Sequence, residues 1–198
     1  DNTDQIYVVD DAFATLESTQ VLRDPTAWYH LIVSYDSDEA SGANRLRVWL
    51  NGVEITSWAT DARATRITSA EAWGLTVDAE VKIVGALSTS NYWDGYLAQT
   101  FLIDGTSIQN GDHAITAFGE FDDNGVWRPI DVSGLTFGTN GWLLDFADSA
   151  FLGKDAANGT GLVPASEGTA IGDLTLHGGN AAAFNGNRTE TSAGAANT

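Results

Sequence analysis

Short runs of apolar residues, separated by Gly, Asn, Asp or Pro, make up most of the chain up to Phe146. The runs are rich in β-branched and aromatic side chains, which favours strands over helices. The pattern predicts an all-β fold, an antiparallel sandwich of two sheets with little helix, at most one turn over residues 114–118. The runs interpreted as strands are 6–9, 28–35, 46–50, 53–58, 81–87, 96–103 and 142–146.

The segment RLRVWLNGVEIT gives the clearest prediction of a hairpin. Asn51 and Gly52 readily adopt the positive φ angles of a type I′ turn, whose twist suits the strands on either side. Because side chains alternate along a strand, Leu46, Val48 and Leu50 should share one face of the sheet.

In WYHLIVSYD, bulky side chains alternate on both faces, as expected for an inner strand that is covered on both sides. His30 lies within this predicted strand, so we interpret it as a hydrogen-bonded structural residue rather than as a catalytic base. Trp28, Trp49, Trp127 and Trp142 are likewise expected in the core.

The composition changes after Phe151, where the chain becomes rich in glycine and small polar residues and loses its periodicity. We expect one domain over residues 1–163, ending between Gly161 and Ala165. Residues 164–198 should form a linker, followed by a tail or by the start of a second module.

The chain of 198 residues carries 27 acidic and 9 basic residues, a net charge of −18. With no basic stripe to replace counterions, nucleic acid is not expected as a partner, nor is an anionic membrane surface. The acidic surplus either attracts divalent cations or simply solvates the surface. Calcium stays open, since YDSDEASGAN and FDDNGV offer carboxylate and carbonyl oxygens without matching an EF-hand.

Other site chemistries find little support. The chain has no cysteine, so it has neither disulfides nor thiolate metal sites. The motifs of serine hydrolases, phosphate-binding loops and dinucleotide-binding turns are absent, as is an apolar run of the roughly 20 residues that a membrane span needs. Because the chain begins with Asp1 and has no methionine, we expect a processed product or a piece of a longer protein.

GEFDDNG is the nearest match to the E-x-D-x-E motif of sandwich glycosidases, in which one carboxylate attacks and another protonates the leaving oxygen. Glu120 and Asp122 occupy the first two acidic positions, but Asn124 stands where the second glutamate belongs. We therefore interpret the segment as a solvated turn that ends at Gly125.

Four aromatic residues lie at or near predicted strand ends, where exposed rings can stack on sugar faces. Trp58, Trp73, Tyr92 and Trp93 are therefore the candidate carbohydrate-binding residues, with packing inside the fold as the alternative for each. Asp94 is assigned to the turn that leads into the strand over 96–103.

Several motifs occur in a fixed order along about residues 4–162: RDPTAWYHLIVSYD, NRLRVWLNGVEIT, NYWDGYLAQTFLIDG, FGEFDDNGVWRPI, GTNGWLLDFADS and LGKDAANGTG. In this order they resemble the LamG-like, concanavalin A-like lectin/glucanase jelly-roll domains of tailed-phage and prophage structural proteins. The later segment AAAFNGNRTETSAGA resembles the start of a discoidin-like module. Strands that usually precede the position of Asp1 in this family are absent here, so either this chain has lost them or a neighbouring segment or chain supplies that sheet edge.

The resemblance implies a two-sheet jelly roll in a tail fibre, tail spike or capsid decoration, at the virion surface or outside the cell. The implied partners are a cell-surface glycan or other virion proteins, and a homo-oligomer is implied as well. No site residue can be transferred, because the family has no universal ligand motif. The leading hypothesis is a non-enzymatic module for glycan recognition or decoration. The alternatives are a polysaccharide-degrading glycosidase and a secreted, calcium-dependent bacterial adhesin.

Overall fold

The computed structural model describes residues 4–10, 13–69, 82–84, 86–87, 90–149, 152–157 and 174–176. In these ranges, helix is limited to α1 (Arg63–Arg66) and two short 3-10 turns, Gly42–Asn44 and Ile115–Ala117. The strands are β1 (Gln5–Asp10), β2 (Phe13–Val21), β3 (Leu31–Tyr35), β4 (Leu46–Leu50), β5 (Val53–Glu54), β6 (Trp58–Asp61), β7 (Lys82–Val84), β8 (Ala86–Leu87), β9 (Ser90–Tyr92), β10 (Thr100–Leu102), β11 (Gly119–Phe121), β12 (Trp127–Pro129), β13 (Trp142–Leu144) and β14 (Leu174–Leu176). The predicted all-β fold class is confirmed.

The chain divides into two compact units, and each is made of two stretches of sequence. Unit 1 comprises residues 1–72 and 106–132, and unit 2 comprises 73–105 and 133–198. The described strand pairs are antiparallel, apart from β14, which pairs in parallel with β7 in unit 2. The jelly-roll order of strands and the domain boundary near residue 163 stay predictions.

The sheet β3-β4-β5 of unit 1 contains the predicted hairpin. Asn51 and Gly52 have φ angles of 49° and 76°, as a type I′ turn requires. Leu46, Val48 and Leu50 are all buried and alternate along β4, which puts them on one face, while Trp49 on the opposite face is buried as well. On the neighbouring strand β3, every second residue pairs with one of these three, as Val33 does with Val48.

Trp127 is buried in unit 1, where its ring packs against the backbone of two glycines. A methyl group at Gly52 or at Gly119 would overlap its indole ring, so both positions need glycine. The indole Nε1–H donates a hydrogen bond of 2.8 Å to Nδ1 of His30. The ring therefore joins the β4-β5 turn, β11 and the residue that precedes β3.

The second sheet of unit 1, β1-β2-β6, is held by a buried hydroxyl as well as by apolar packing. Ser18 is fully buried; its Oγ accepts a hydrogen bond from the Ile6 amide at 3.0 Å and donates one to the Gln20 carbonyl at 2.7 Å. Leu16, also fully buried, faces the core from the same strand.

In unit 2, β13 carries the described core. Trp142, Leu143 and Leu144 are all buried, and β13 pairs with β10. The buried Asp155 Oδ1 accepts hydrogen bonds of 2.9 Å from the amides of Leu143 and Ala157. This carboxylate satisfies backbone donors that burial would otherwise leave unpaired.

The motif GTNG, one of those that carry the family resemblance, is a packing element of unit 2. Gly138 has a φ of 79°, and a side chain there would strike the backbone of Asp104. A methyl group at Gly141 would overlap the Phe137 carbonyl and lie 2.7 Å from the Leu102 carbonyl oxygen. Both glycines are therefore required by close contact between backbone segments.

Several sequence-based expectations are wrong. The strand predicted over 53–58 is interrupted between Glu54 and Trp58, and β3 is not covered on both sides, since Leu31 is exposed. Trp28 is 65% exposed rather than in the core, because β3 begins only at Leu31. Tyr96 is 85% exposed, and the expected buried strand over 96–103 is limited to β10, whose three residues are half-buried. The strand predicted over 142–146 ends at Leu144, and Phe146 has a left-handed φ of 55°. The strand β2 was not predicted at all.

Candidate functional site

Among the residues of unit 2 whose side chains the structure describes, the most exposed aromatic ones lie on one short loop between β9 and β10. We call residues 93–97, with the sequence WDGYL, the aromatic loop. Trp93 is 62% exposed and Tyr96 is 85% exposed, while Leu97 beside them is also exposed. Two large rings that remain open to solvent within four residues form a surface on which a ligand can stack.

Gly95 sets the position of the Trp93 ring. A methyl group on Gly95 would lie 2.8 Å from the indole Nε1 and 3.1 Å from Cε2, so the ring rests against the glycine backbone. Gly95 has no positive φ, and its role is therefore to leave space rather than to permit an unusual backbone. The glycine in WDGYL thus holds the indole on the loop surface.

The loop leads into a well-anchored part of unit 2. Directly after it, β10 pairs with the buried β13. Beyond β10, the Asp104 amide donates to the Phe137 carbonyl at 2.8 Å. Oδ2 of Asp104 accepts hydrogen bonds from the Asn140 side chain at 2.9 Å and from its backbone amide at 3.2 Å. The segment that follows the aromatic loop is therefore held in place by strand pairing and hydrogen bonds.

The loop offers the groups that a saccharide needs. The apolar faces of the indole and the phenol suit the C–H face of a pyranose, and the phenol hydroxyl can exchange hydrogen bonds with sugar hydroxyls. Asp94, which lies between the two aromatic residues in sequence, is exposed and adds a carboxylate acceptor. The loop holds one carboxylate, that of Asp94, and no second acidic side chain with which it could form the acid and nucleophile pair of a glycosidase.

The candidate residues predicted from sequence are distributed over the molecule. Trp93 lies on the aromatic loop. Tyr92 ends β9, where its backbone pairs with Ala86. Trp58 begins β6 in unit 1, and Trp73 lies outside the described residues. Tyr96 was missed, because the apolar run YLAQTFLI favoured a buried strand.

Trp58 is half-buried and already has partners within unit 1. The Arg63 guanidinium lies over its ring, 5.6 Å from the centroid, and Arg63 also pairs with Asp61 at 2.6 Å. The indole Nε1 of Trp58 is buried without a hydrogen-bond acceptor. Since one face of the ring carries Arg63, a ligand there would have to displace a cation that stabilises it.

Asp122 of GEFDDNG organises a turn. Its Oδ1 accepts hydrogen bonds from the amides of Val126 at 2.9 Å and Asn124 at 3.0 Å, and its Oδ2 accepts one from Arg128 Nε at 2.7 Å. The bond from the Val126 amide and then that from Arg128 hold the pKa of this carboxyl below its usual value. The expected turn forms over residues 122–125, with Gly125 at a φ of 74°, whereas Gly119–Phe121, the first part of the segment, forms β11 rather than a turn.

The candidate calcium loops form no cation cage in the part of the chain that the structure describes. Within those ranges, no group of three or more His, Cys, Asp or Glu side chains is placed to hold a metal. Asp36, in YDSDEASGAN, instead accepts hydrogen bonds from the Ser107 hydroxyl at 2.8 Å and the Asp38 amide at 3.1 Å.

In the ranges that the structure describes, no helix has both the length and the apolar character to cross a membrane.

His30 is a structural acceptor, as the sequence predicted. Burial lowers its pKa, and its Nδ1 must stay unprotonated to accept the Trp127 indole N–H. The unfolded chain therefore binds a proton that the folded chain resists. Neutral His30 therefore contributes to the free energy of unfolding. This contribution is complete above the ordinary His pKa of 6.5 and is lost as the pH falls below that value.

We expect the free energy of unfolding of unit 1 to fall between about pH 7.5 and about pH 5 by a component that depends on His30. Urea unfolding across this range, compared with His30→Gln, measures it, because glutamine keeps an acceptor but does not titrate. Equal slopes for the two proteins would contradict the assignment.

Comparison of the chain with family models, with curated proteins and with solved structures finds no match.

Proposed function

We propose that the chain is a non-enzymatic carbohydrate-binding module of a phage or phage-like particle, and that it recognises glycans on the host surface. The observation that carries the proposal is the exposure of Trp93 and Tyr96 together on the aromatic loop. The order of sequence motifs, which resembles phage LamG-like domains, supports the setting at a virion surface or outside the cell.

The charge of the chain narrows the ligand class. A net charge of −18 opposes nucleic acids and strongly anionic polysaccharides, since their binding would bring like charges together. Neutral sugars carry no such penalty, and exposed Trp and Tyr rings are the side chains best suited to their mixed apolar and hydroxyl surface. A neutral or weakly charged glycan is therefore the proposed ligand.

The use of Asp122 supports a binding function over glycoside hydrolysis. In the E-x-D-x-E motif the two glutamates attack and protonate, and Asn124 stands where the second of them would be, while Asp122 is occupied by hydrogen bonds within its turn. We expect no release of reducing ends from algal or bacterial polysaccharides. Release that disappears in Glu120→Gln would instead establish the glycosidase.

Tyr96→Ala and Trp93→Ala should each weaken glycan binding at least about tenfold, since each removes a stacking surface worth about 1.4 kcal/mol or more. A glycan array identifies ligands of the unmodified chain, and calorimetry with those ligands gives the Kd of each variant. Tyr7→Ala is the matched control, because Tyr7 is an exposed tyrosine of unit 1. An array without ligands at high micromolar protein, or equal affinities for all variants, would refute the proposal.

Gly95→Ala tests the same loop without removing a ring. The added methyl group displaces the Trp93 indole, so affinity should fall while the fold is kept. Gly134→Ala is the control, since Gly134 also lies in unit 2 and has open space around its Cβ position.

Particle decoration is the alternative role for the same surface. In that case, the aromatic loop is covered by another virion protein or by a second copy within a homo-oligomer. Size-exclusion chromatography with light scattering distinguishes these outcomes: Tyr96→Ala would dissociate an oligomer that depends on the loop, whereas a glycan-binding loop leaves the oligomeric state unchanged.

A further inference from the structure

Trp28 is a large exposed ring in unit 1 that the sequence assigned to the core. It is 65% exposed and lies in the segment before β3. We call residues 23–30, with the sequence RDPTAWYH, the Trp28 loop. Folding leaves this indole in water, where its face is open to a ligand that stacks on it.

Hydrogen bonds fix the first half of the Trp28 loop. Oδ1 of Asp24 accepts from the Thr26 amide at 2.9 Å and from the Thr26 hydroxyl at 2.7 Å. The Ala27 amide donates to the Asp24 carbonyl at 3.3 Å, and the Tyr29 hydroxyl donates to the same carbonyl at 3.2 Å. The backbone on both sides of Trp28 is therefore held in one arrangement.

The β4-β5 turn fixes the second half. Asn51 Oδ1 accepts from the His30 amide at 2.8 Å, and the Asn51 amide donates to the His30 carbonyl at 2.8 Å. Since the loop is ordered before any ligand arrives, binding to the ring costs little conformational entropy.

The two charged residues at the start of the Trp28 loop are balanced in sign. Arg23 and Asp24 are both exposed and have opposite charges, in a chain whose net charge is otherwise strongly negative. The hydrogen bond from the Thr26 hydroxyl is the main cause that lowers the Asp24 pKa, so this carboxyl is ionised near neutral pH. Arg23 supplies donors and Asp24 Oδ2 supplies an acceptor, the pair of functions that sugar hydroxyls require.

We propose that the Trp28 loop is a second saccharide-binding site, separate from the aromatic loop, which stacks a neutral pyranose on the indole and bonds its hydroxyls through Arg23 and Asp24. The inference takes its ligand class from the proposed function and adds a site in the other unit. A polyanion would be repelled by the acidic chain, and one carboxylate offers too few ligands for a cation. A neutral sugar satisfies both the ring and the balanced pair of charges.

Two sites on one chain need probes that occupy one site at a time. A short oligosaccharide binds each loop on its own. The two loops are therefore distinguished by short probes, which report each ring separately.

Heteronuclear NMR of the indole N–H signals provides the test, with laminaritetraose and chitotetraose as neutral probes and a hyaluronan tetrasaccharide as the anionic control. The chain has seven tryptophans, and the Trp28 signal is the one that disappears in Trp28→Phe. We expect this signal to shift with at least one neutral probe at millimolar concentration, and to do so equally in the Trp93→Ala/Tyr96→Ala double variant. The hyaluronan probe should leave it unchanged.

Calorimetry in the double variant then measures the Trp28 site alone. Trp28→Ala in that background should raise the remaining Kd at least about tenfold, and Trp28→Phe should raise it less because a ring is kept. The dispersion of the other indole signals checks that the fold is retained, and Trp28→Phe takes the place of Trp28→Ala if it is not.

A Trp28 signal that no neutral probe shifts would overturn this inference. If the Trp93 signal shifts in that experiment, the proposed function stands with one site. If neither signal shifts and the glycan array is also negative, both proposals fail.

Discussion

Trp127→Ala is expected to destabilise unit 1 by about 3–5 kcal/mol, the largest effect that we expect from truncating a described side chain of this unit. The substitution removes a ring that packs against the Gly52 and Gly119 backbones, where neither glycine has a side chain to fill the space. It also leaves His30 Nδ1 without its donor. Because both adjoining segments are held by strand pairing, the cavity cannot collapse easily, which places the expected cost in this range.

Urea unfolding, followed by hydrogen exchange of the β4 amides, measures this loss in unit 1 specifically. Trp28→Ala is the matched control: it truncates the same residue type in the same unit but at an exposed position, so its cost should be within about 0.5 kcal/mol. Equal losses for the two variants would contradict the central place given to Trp127. Trp127→Phe should fall between them, since it keeps a ring but not the N–H donor.

Gly141→Ala is expected to destabilise unit 2 by about 3 kcal/mol or more, because the methyl group must displace a backbone rather than a side chain. The Phe137 and Leu102 carbonyls both lie in its way. Movement of either one disturbs β13 or its partner β10, on which the described core of unit 2 depends.

Hydrogen exchange of the Leu143 and Leu144 amides reports this change locally. Gly134→Ala places the same methyl group in open space within unit 2 and should change stability by no more than about 0.5 kcal/mol. If Gly141→Ala unfolds at the same urea concentration as the unmodified chain, the close contact at this glycine has no energetic importance.

Local signals in the sequence predicted the fold class and the central hairpin well. Asn51 and Gly52 determine their turn through their own backbone preferences, so the turn could be read without tertiary information. The alternation of Leu46, Val48 and Leu50 identified one buried face of β4 for the same reason. In both cases, the cause lies within a few residues of the effect.

The errors arose where distant contacts decide the outcome. The strand predicted over 28–35 starts late because the Asn51 side chain bonds the His30 backbone, a contact across 21 residues that alternation cannot reveal. The strand β2 has a polar sequence, and its pairing with both β1 and β6 makes it a strand. Its buried Ser18 carries no hydrophobic signal.

The candidate site was predicted in part. Trp93 was chosen for its place near a strand end, and it lies on the exposed loop as the stacking hypothesis requires. Tyr96 and Trp28 were missed because aromatic residues in apolar runs are usually buried. Exposure depends on what packs above a residue, which the local sequence does not contain.

The discontinuity of unit 1 affects how the protein is made. Trp127 follows its partner His30 by 97 residues, and residues 73–105, which belong to unit 2, are synthesised in between. While the chain leaves the ribosome, the strands β3 to β6 are complete but lack the ring that fills the space beside Gly52. Unit 1 therefore cannot reach its final packing until residue 127 has emerged, and premature termination before that point should yield an N-terminal fragment that aggregates or is degraded.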